Sequence, residues 1–386
     1  MKKKIFVITG NRADYGLLKK LIFKLKKNKR FNLKVLVTGA HLIKKYGFTI
    51  KEIKDDGIKV DYKVDLSIKS DSPYDISKAV SNGVIKFSKI LTKEKVDLAI
   101  VLGDRYEIFS FVISAAINGI PIAHLHGGEI TQGALDDAMR HSITKMSDLH
   151  FVANKIYKKR IIQLGENPEM VFDVGGLGVD EIDKKKLFSK MEIEKIKKFK
   201  FYKKNLLITY HPETIKNSLY KEDFGIILKS LLKLKKTRII FTAPNSDAGN
   251  LKVYKKIKLF TKKNSNAVFF KSLGHQMYLS LINQVDAVIG NSSSGLSEVP
   301  YFKKPTINIG HRQKGRIIVD SIIDCSFNTK ELDYNLKKIY NKYFQSKLKN
   351  VVSPYGKGGA SKKIMKILEN VNLKDIKYKK FKDLKF

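Results

Sequence analysis

At 386 residues the chain is longer than one typical core organises and suits two domains of ordinary size. Hydrophobic residues make up 43% and charged residues 29%, which excludes wholesale disorder, and the single cysteine, Cys325, excludes an intrachain disulfide and a cysteine-based zinc site. The net charge of +39 rests on 68 lysines against eight arginines; stretches such as KKLIFKLKKNKR and KSLLKLKK mix lysine with Leu, Ile and Phe as solvated helix faces do, so a nucleic-acid partner is not expected.

The opening MKKKIFVITG is charged then apolar, but its apolar run ends at Gly10 and Asn11, too short for a secretory leader. No later stretch reaches the roughly 20 apolar residues of a membrane-spanning helix. The expectation is a soluble, cytoplasmic protein with no membrane partner. Short β-branched runs then recur with helical stretches between them: 5–9, 33–39, 97–103, 121–127, 149–153 and 171–175. After a lysine-dense segment, 184–204, the alternation resumes at 205–212, 238–245, 267–270, 286–290 and 305–310. Such runs read as strands buried on both faces, so the chain is predicted to be α/β, with two doubly wound, Rossmann-like domains. The expected boundaries are 1–183, a lysine-rich connection 184–204, a second domain 205–365 and a tail 366–386.

Nearly every polar motif follows the carboxyl end of a predicted strand, where open α/β sheets bind ligands. In AVIGNSSSGLSEVP, Gly290 to Gly295 lead from a strand into a helix, and free backbone N–H groups beside the hydroxyls of Ser292, Ser293 and Ser294 suit a diphosphate better than a simple serine cap. Glu298, one turn on, is placed to accept from ribose hydroxyls. Arginine in so lysine-biased a chain marks positions that need bidentate binding, and Arg12, Arg105, Arg140, Arg312 and Arg316 fall within motifs. Arg30, Arg160 and Arg238 read as surface residues or element ends. Acid–base candidates cluster at 104–141: Asp104, His124, His126, Glu129, Asp136, Asp137, Arg140 and His141. A purely structural role for Asp136 and Asp137 as helix caps, or for His124 in the core, remains open. His124, His126 and His141 lack the spacing of a metal motif, and no metal is expected.

In order along the chain, RADYG (12–16), GDRYE, HGGE, DDAMRHSITKM, KKRIIQLGE, HPET, GNSSSGLSEVP and INIGHRQKGR resemble the UDP-N-acetylglucosamine 2-epimerase family, specifically its hydrolysing branch. The non-hydrolysing branch typically carries Arg-Pro-Glu where this chain reads RADYG, and H-V-E-A-G where it reads HLHGG. The resemblance implies a GT-B fold with the two domains facing a central cleft, homo-oligomeric assembly and no cofactor. It implies UDP contacts from Arg12, Gly16, Arg105, His211, Asn245, Ser292, Ser293, Glu298 and Arg312. It also implies proton transfer by Asp104 and Asp136, with Arg140 following at the family spacing. Where many relatives have an H-x-E-G or H-x-E-A pattern, this chain has His126, and a glutamate follows the glycine pair as Glu129; either takes that part. The implied reaction removes the C2 proton of a UDP-linked N-acetylhexosamine, eliminates UDP from C1 and hydrates the resulting 2-acetamidoglucal. UDP-N-acetylglucosamine is the first substrate expected, giving N-acetylmannosamine for sialic-acid synthesis. The alternatives are a UDP- or GDP-linked 2,4-diacetamido-2,4,6-trideoxy sugar of legionaminic-acid synthesis, or a GT-B glycosyltransferase.

Overall fold

The computed structural model describes residues 2–44, 47–70, 72–131, 135–180, 182, 184–212, 224–244, 250–373, 376 and 379–383. The chain divides into two compact units: Met1–Ile130 with Ala134–Glu181 and Gly358–Phe386, and Thr131–Gly133 with Ile182–Lys357.

The first unit is built on a parallel sheet of β1 (Lys3–Thr9), β2 (Phe31–Thr38), β3 (Tyr62–Val64), β4 (Leu98–Leu102), β5 (Ile122–Leu125), β6 (Leu149–Val152) and β7 (Val171–Asp173). Their spatial order is β3-β2-β1-β4-β5-β6-β7. In register, Ile5 of β1 lies opposite Leu33 on one side and Leu98 on the other. Every residue of β4, β5 and β6 is buried, which is why these strands are apolar runs and not alternating ones. The helix Arg12–Lys27 presents Leu18, Leu21, Ile22 and Leu25 to the core at helical spacing, and the Asn11 side chain caps it by accepting from the Ala13 and Asp14 amides.

The last helix, Ala360–Asn370, also belongs to this unit. Its Ala360, Ile364, Met365 and Leu368 join Leu18, Leu21, Ile22 and Leu25 in one apolar cluster, and burying a side chain of that size contributes about 1.5–3 kcal/mol. Asp180 fixes its start, accepting from the amides of Gly359 at 2.5 Å and Ser361 at 2.9 Å.

The second unit repeats the plan with β8 (Lys204–Thr209), β9 (Thr237–Thr242), β10 (Ala267–Phe270), β11 (Ala287–Gly290), β12 (Thr306–Ile309) and β13 (Ile322–Cys325), all parallel, in the order β10-β9-β8-β11-β12-β13. The lysine-dense segment holds the helix Lys190–Lys197, opened by a Ser189–Glu192 capping box, and its Ile193 is buried with Phe199, Phe201 and Leu207.

The division departs from the expected boundaries at Thr131, in the segment 184–204 and from residue 358 onward. The segment 184–204 packs into the second unit, where Ile193, Phe199 and Phe201 are buried in one cluster with Leu207. Residues from 358 onward return to the first unit, because the apolar stripe of the last helix finds its partners there. The strands β3 and β13 were not expected; both are edge strands of three or four residues without a long apolar run.

Candidate functional site

In the first sheet the order of connection reverses between β1 and β4, and the loops after these two strands diverge there. After β1, Asn11 caps the helix and its amide nitrogen donates to Asp14 Oδ2 at 2.8 Å. After β4, Gly103 turns the chain at φ +77°, and Asp104 and Arg105 precede the helix Tyr106–Ile117. Arg105 Nε lies 3.2 Å from Oε2 of Glu107, a carboxylate only 1% exposed. Burial, opposed by Arg105 and reinforced by Glu107, raises the Asp14 carboxyl to about 7.

One strand further on, His124 is fully buried, with Nε2 donating to the Gly103 carbonyl at 2.8 Å and Nδ1 accepting from Thr144 Oγ1 at 3.1 Å. Burial lowers its pKa to about 3, so it is a neutral strut for the β4 loop. His126 adopts φ +63°, a left-handed conformation unusual for a side chain of its size. There its Nδ1 donates to Glu129 Oε1 at 2.8 Å and its Nε2 accepts from the Leu177 amide at 3.2 Å. The glycines between them are demanded by close approach: a Cβ at Gly128, where φ is +77°, would meet the Tyr157 carbonyl at 2.6 Å.

Arg140, 4% exposed, ties these loops together from the helix Leu135–Met146. Its guanidinium pairs with Asp104 Oδ2 and donates to the Glu129 carbonyl at 3.0 Å. Asp137, one turn earlier, lies 3.4 Å from the same group. Two carboxylates are thus held by named partners, Glu129 by an imidazole and Asp104 by a guanidinium, an arrangement able to take and return protons at defined points.

In the second sheet the reversal falls between β8 and β11. Gly290 ends β11 at φ +135°, where a Cβ would sit 2.0 Å from the Thr209 carbonyl. Asn291, fully buried, then accepts from the His211 amide and donates to the His211 carbonyl, both at 2.7 Å. Its own carbonyl receives Arg312 at 3.1 Å and buried Gln313 at 2.8 Å. One asparagine thereby fixes the loops after β8, β11 and β12. Ser293 opens the short helix Ser294–Ser297 without a side-chain capping bond, and the Glu298 carboxylate accepts from Ser297 Oγ. The Tyr278 hydroxyl is buried beside the hydroxyls of Ser294, Thr209 and Ser292, and burial raises its pKa. Amides, hydroxyls and a guanidinium grouped at strand ends suit a diphosphate, with Glu298 suited to ribose hydroxyls.

The family model for UDP-N-acetylglucosamine 2-epimerase matches residues 23–369 of this sequence. The chain belongs to that family. It is 41% identical, over 99% of this chain and 100% of the relative, to the GDP/UDP-N,N'-diacetylbacillosamine 2-epimerase (hydrolyzing) of Campylobacter jejuni. It is 36% identical to the polysialic acid biosynthesis protein P7 of Escherichia coli, over 99% of this chain and 98% of that one. The crystal structure of the Neisseria meningitidis UDP-GlcNAc 2-epimerase bound to UDP-GlcNAc superposes with a TM-score of 0.80 at 20% identity, covering 95% of this chain and 100% of the other. The fold is therefore of the GT-B type, and the chain sits in the hydrolysing branch of the 2-epimerase family.

Within this 2-epimerase, Asp104, His126, Glu129 and Arg140 form one connected group. Asp136, in the first helical turn nearby, acts electrostatically on Arg105. Arg12 is turned to Glu52 at 3.2 Å on an exposed face, and a methyl group placed on Gly16, in the helix Arg12–Lys27, would meet nothing within 4 Å among the described residues. His211 and Arg312 converge through Asn291, with Ser292, Ser293 and Glu298 following in sequence. Asn245 lies outside the described residues. Arg160 lies in the last turn of the helix Lys155–Gln163, the element end expected of it, and from there donates to the Gly128 carbonyl. Arg238, at the start of β9, is buried and bonded to the carbonyls of Lys200 and Ser265. Sequence reasoning passed over Asp14, Glu107, Tyr278 and Gln313, and placed Asn291 in the diphosphate loop without foreseeing its side-chain bonds to His211. Only the scarcity of arginine, applied to Arg160, carried a usable signal. Among the described residues, no group of three or more His, Cys, Asp or Glu could hold a metal, and no helix is long and apolar enough to cross a membrane.

Proposed function

We propose that this 2-epimerase hydrolyses a UDP-linked 2-acetamido sugar to UDP and the free 2-epimer, with N,N'-diacetylbacillosamine as the preferred sugar. The observation that carries the reaction is the pairing of Glu129 with His126 beside that of Asp104 with Arg140. An elimination that takes the C2 proton from one face of the ring, and a hydration that returns a proton to the other, needs two separate acid–base groups. The two paired carboxylates supply them, with Asp136 close by. As the C2–H bond breaks, its electron pair forms the C1–C2 double bond and the C1–oxygen bond breaks, releasing UDP. Water then gives hydroxyl to C1 and a proton goes to C2. The loops bearing Ser292, Ser293, His211 and Arg312 hold the departing diphosphate, assisted by Arg12 and Arg105, and Glu298 holds the ribose.

The preference for the 4-acetamido sugar is supported by the 41% identity to the Campylobacter jejuni enzyme. A second reading, UDP-N-acetylglucosamine giving N-acetylmannosamine, is supported by the 36% identity to the polysialic acid biosynthesis protein. Proton NMR in deuterated water with each sugar in turn is the test. UDP release with a free epimer deuterated at C2 is expected from both, faster from the 4-acetamido substrate. Faster turnover of UDP-N-acetylglucosamine would move the enzyme to the second reading. Release of no free sugar unless an acceptor is added would make it a GT-B glycosyltransferase.

A further inference from the structure

Residues 379–383 lie across the first unit at a place the reaction does not use. Lys379 Nζ is 2.7 Å from Glu166 Oε2 and donates to the carbonyls of Lys145 at 2.5 Å and Ser147 at 2.8 Å. The Lys382 amide donates to the Gly165 carbonyl at 3.0 Å. The Phe381 ring rests on Gly165, where φ is +84° and a Cβ would come within 2.3 Å of a ring carbon. Lys145 completes the cluster: its Nζ lies 4.9 Å from the Phe381 ring centroid, 2.7 Å from Glu166 Oε1 and 3.0 Å from the Leu164 carbonyl. Glu166 itself is 2% exposed and also receives His150 at 2.9 Å.

Lys145 and Ser147 stand at the end of the helix Leu135–Met146, and Leu164 and Gly165 directly follow the helix Lys155–Gln163. One short segment therefore grips the carboxyl ends of both. The same two helices hold the acid–base loop: Arg140 of the first bonds the Glu129 carbonyl and Asp104, while Arg160 of the second bonds the Gly128 carbonyl. A helix transmits a shift at one end along its length, and a displacement of about 1 Å at reacting groups costs up to about a hundredfold in rate.

We propose that the C-terminal segment is a strap that positions the His126–Glu129 loop through these two helices, with Lys379 as its positioning residue. The proposal rests on the reaction assigned above. It is tested in the full-length enzyme with Lys379→Met, Lys379→Arg, Phe381→Ala and a chain ending at residue 378, with Lys380→Ala as control. Lys379→Met and the shortened chain are expected to lower kcat about tenfold, with the Kd for UDP within about twofold of the parent. Lys379→Arg should restore most of the rate, and Lys380→Ala should change nothing. Hydrogen exchange of the amides at 126–129 should quicken in Lys379→Met. An unchanged kcat, or a loss of UDP affinity as large as the loss of kcat, would overturn the strap. If the shortened chain does not fold, the point variants decide. If the parent turns over neither sugar, the exchange measurement decides alone: quickened exchange keeps the strap and discards only the reaction, and unchanged exchange discards the strap.

Discussion

His126 has both ring nitrogens engaged, one giving its proton to Glu129 and the other accepting the Leu177 amide. In the reaction proposed above, this occupancy assigns Glu129 to meet the sugar and His126 to aim it. Glu129→Gln and Asp104→Asn are expected to lower kcat by about 10²–10⁴, the usual weight of a positioned acid or base, while leaving the Kd for UDP nearly unchanged. His126→Ala should cost less, because the carboxylate remains. Isothermal titration with UDP beside steady-state rates checks all three, and equal losses of affinity and rate would contradict them. At this scale the sequence carried the residue types but not their pairing. HLHGGE shows a histidine and a glutamate three apart; that they bond depends on the left-handed backbone at His126 and the turn at Gly128. Asp14 and Glu107 were invisible for a related reason, since only burial beside Arg105 makes them distinctive.

The loops after β8 and β11 are joined by backbone geometry as much as by side chains. Gly290→Ala would drive a methyl group against the Thr209 carbonyl and is expected to cost about 1–3 kcal/mol or more, lowering the denaturant midpoint. Asn291→Ala removes the side-chain bonds to both backbone groups of His211, and should weaken UDP binding more than Ser293→Ala does. Arg312→Ala should weaken UDP binding without slowing the chemistry of bound sugar, read as a raised KM at near-constant kcat. The buried strands on either side were legible because parallel sheets demand uninterrupted apolar runs. The strands β3 and β13 were not, having little sequence to betray them.

For the whole molecule, burial sets the response to pH. His124 and His41 are depressed from 6.5 to about 3 and about 4, chiefly by desolvation. The stability they contribute is complete above pH 6.5 and drains as pH falls toward those values. Burial works against the Glu166 charge, but His150, Lys145 and Lys379 outweigh it and bring the pKa from 4.5 to about 2, adding a loss below pH 4.5. Asp14 runs the other way: raised from 3.8 to about 7, its contribution is complete below pH 3.8 and lost as pH rises through 7. The urea midpoint should therefore fall between pH 6.5 and 4, and Asp14→Asn should be more stable than the parent at pH 8 yet not at pH 4. No gain at pH 8 would contradict the burial of that carboxyl. Two units were legible at this scale from the repeated strand pattern. The return of the last helix was not, because an amphipathic stripe records that it needs a partner without recording which.

That return has a consequence for synthesis on the ribosome. The second unit is nearly continuous in the chain, whereas the apolar stripe of the helix Arg12–Lys27 waits for Ile364, Met365 and Leu368, which are translated more than 300 residues later. The first unit to begin emerging is thus the last to be finished, and a nascent chain released early carries an open seam along its earliest helix, a surface that chaperones would have to cover.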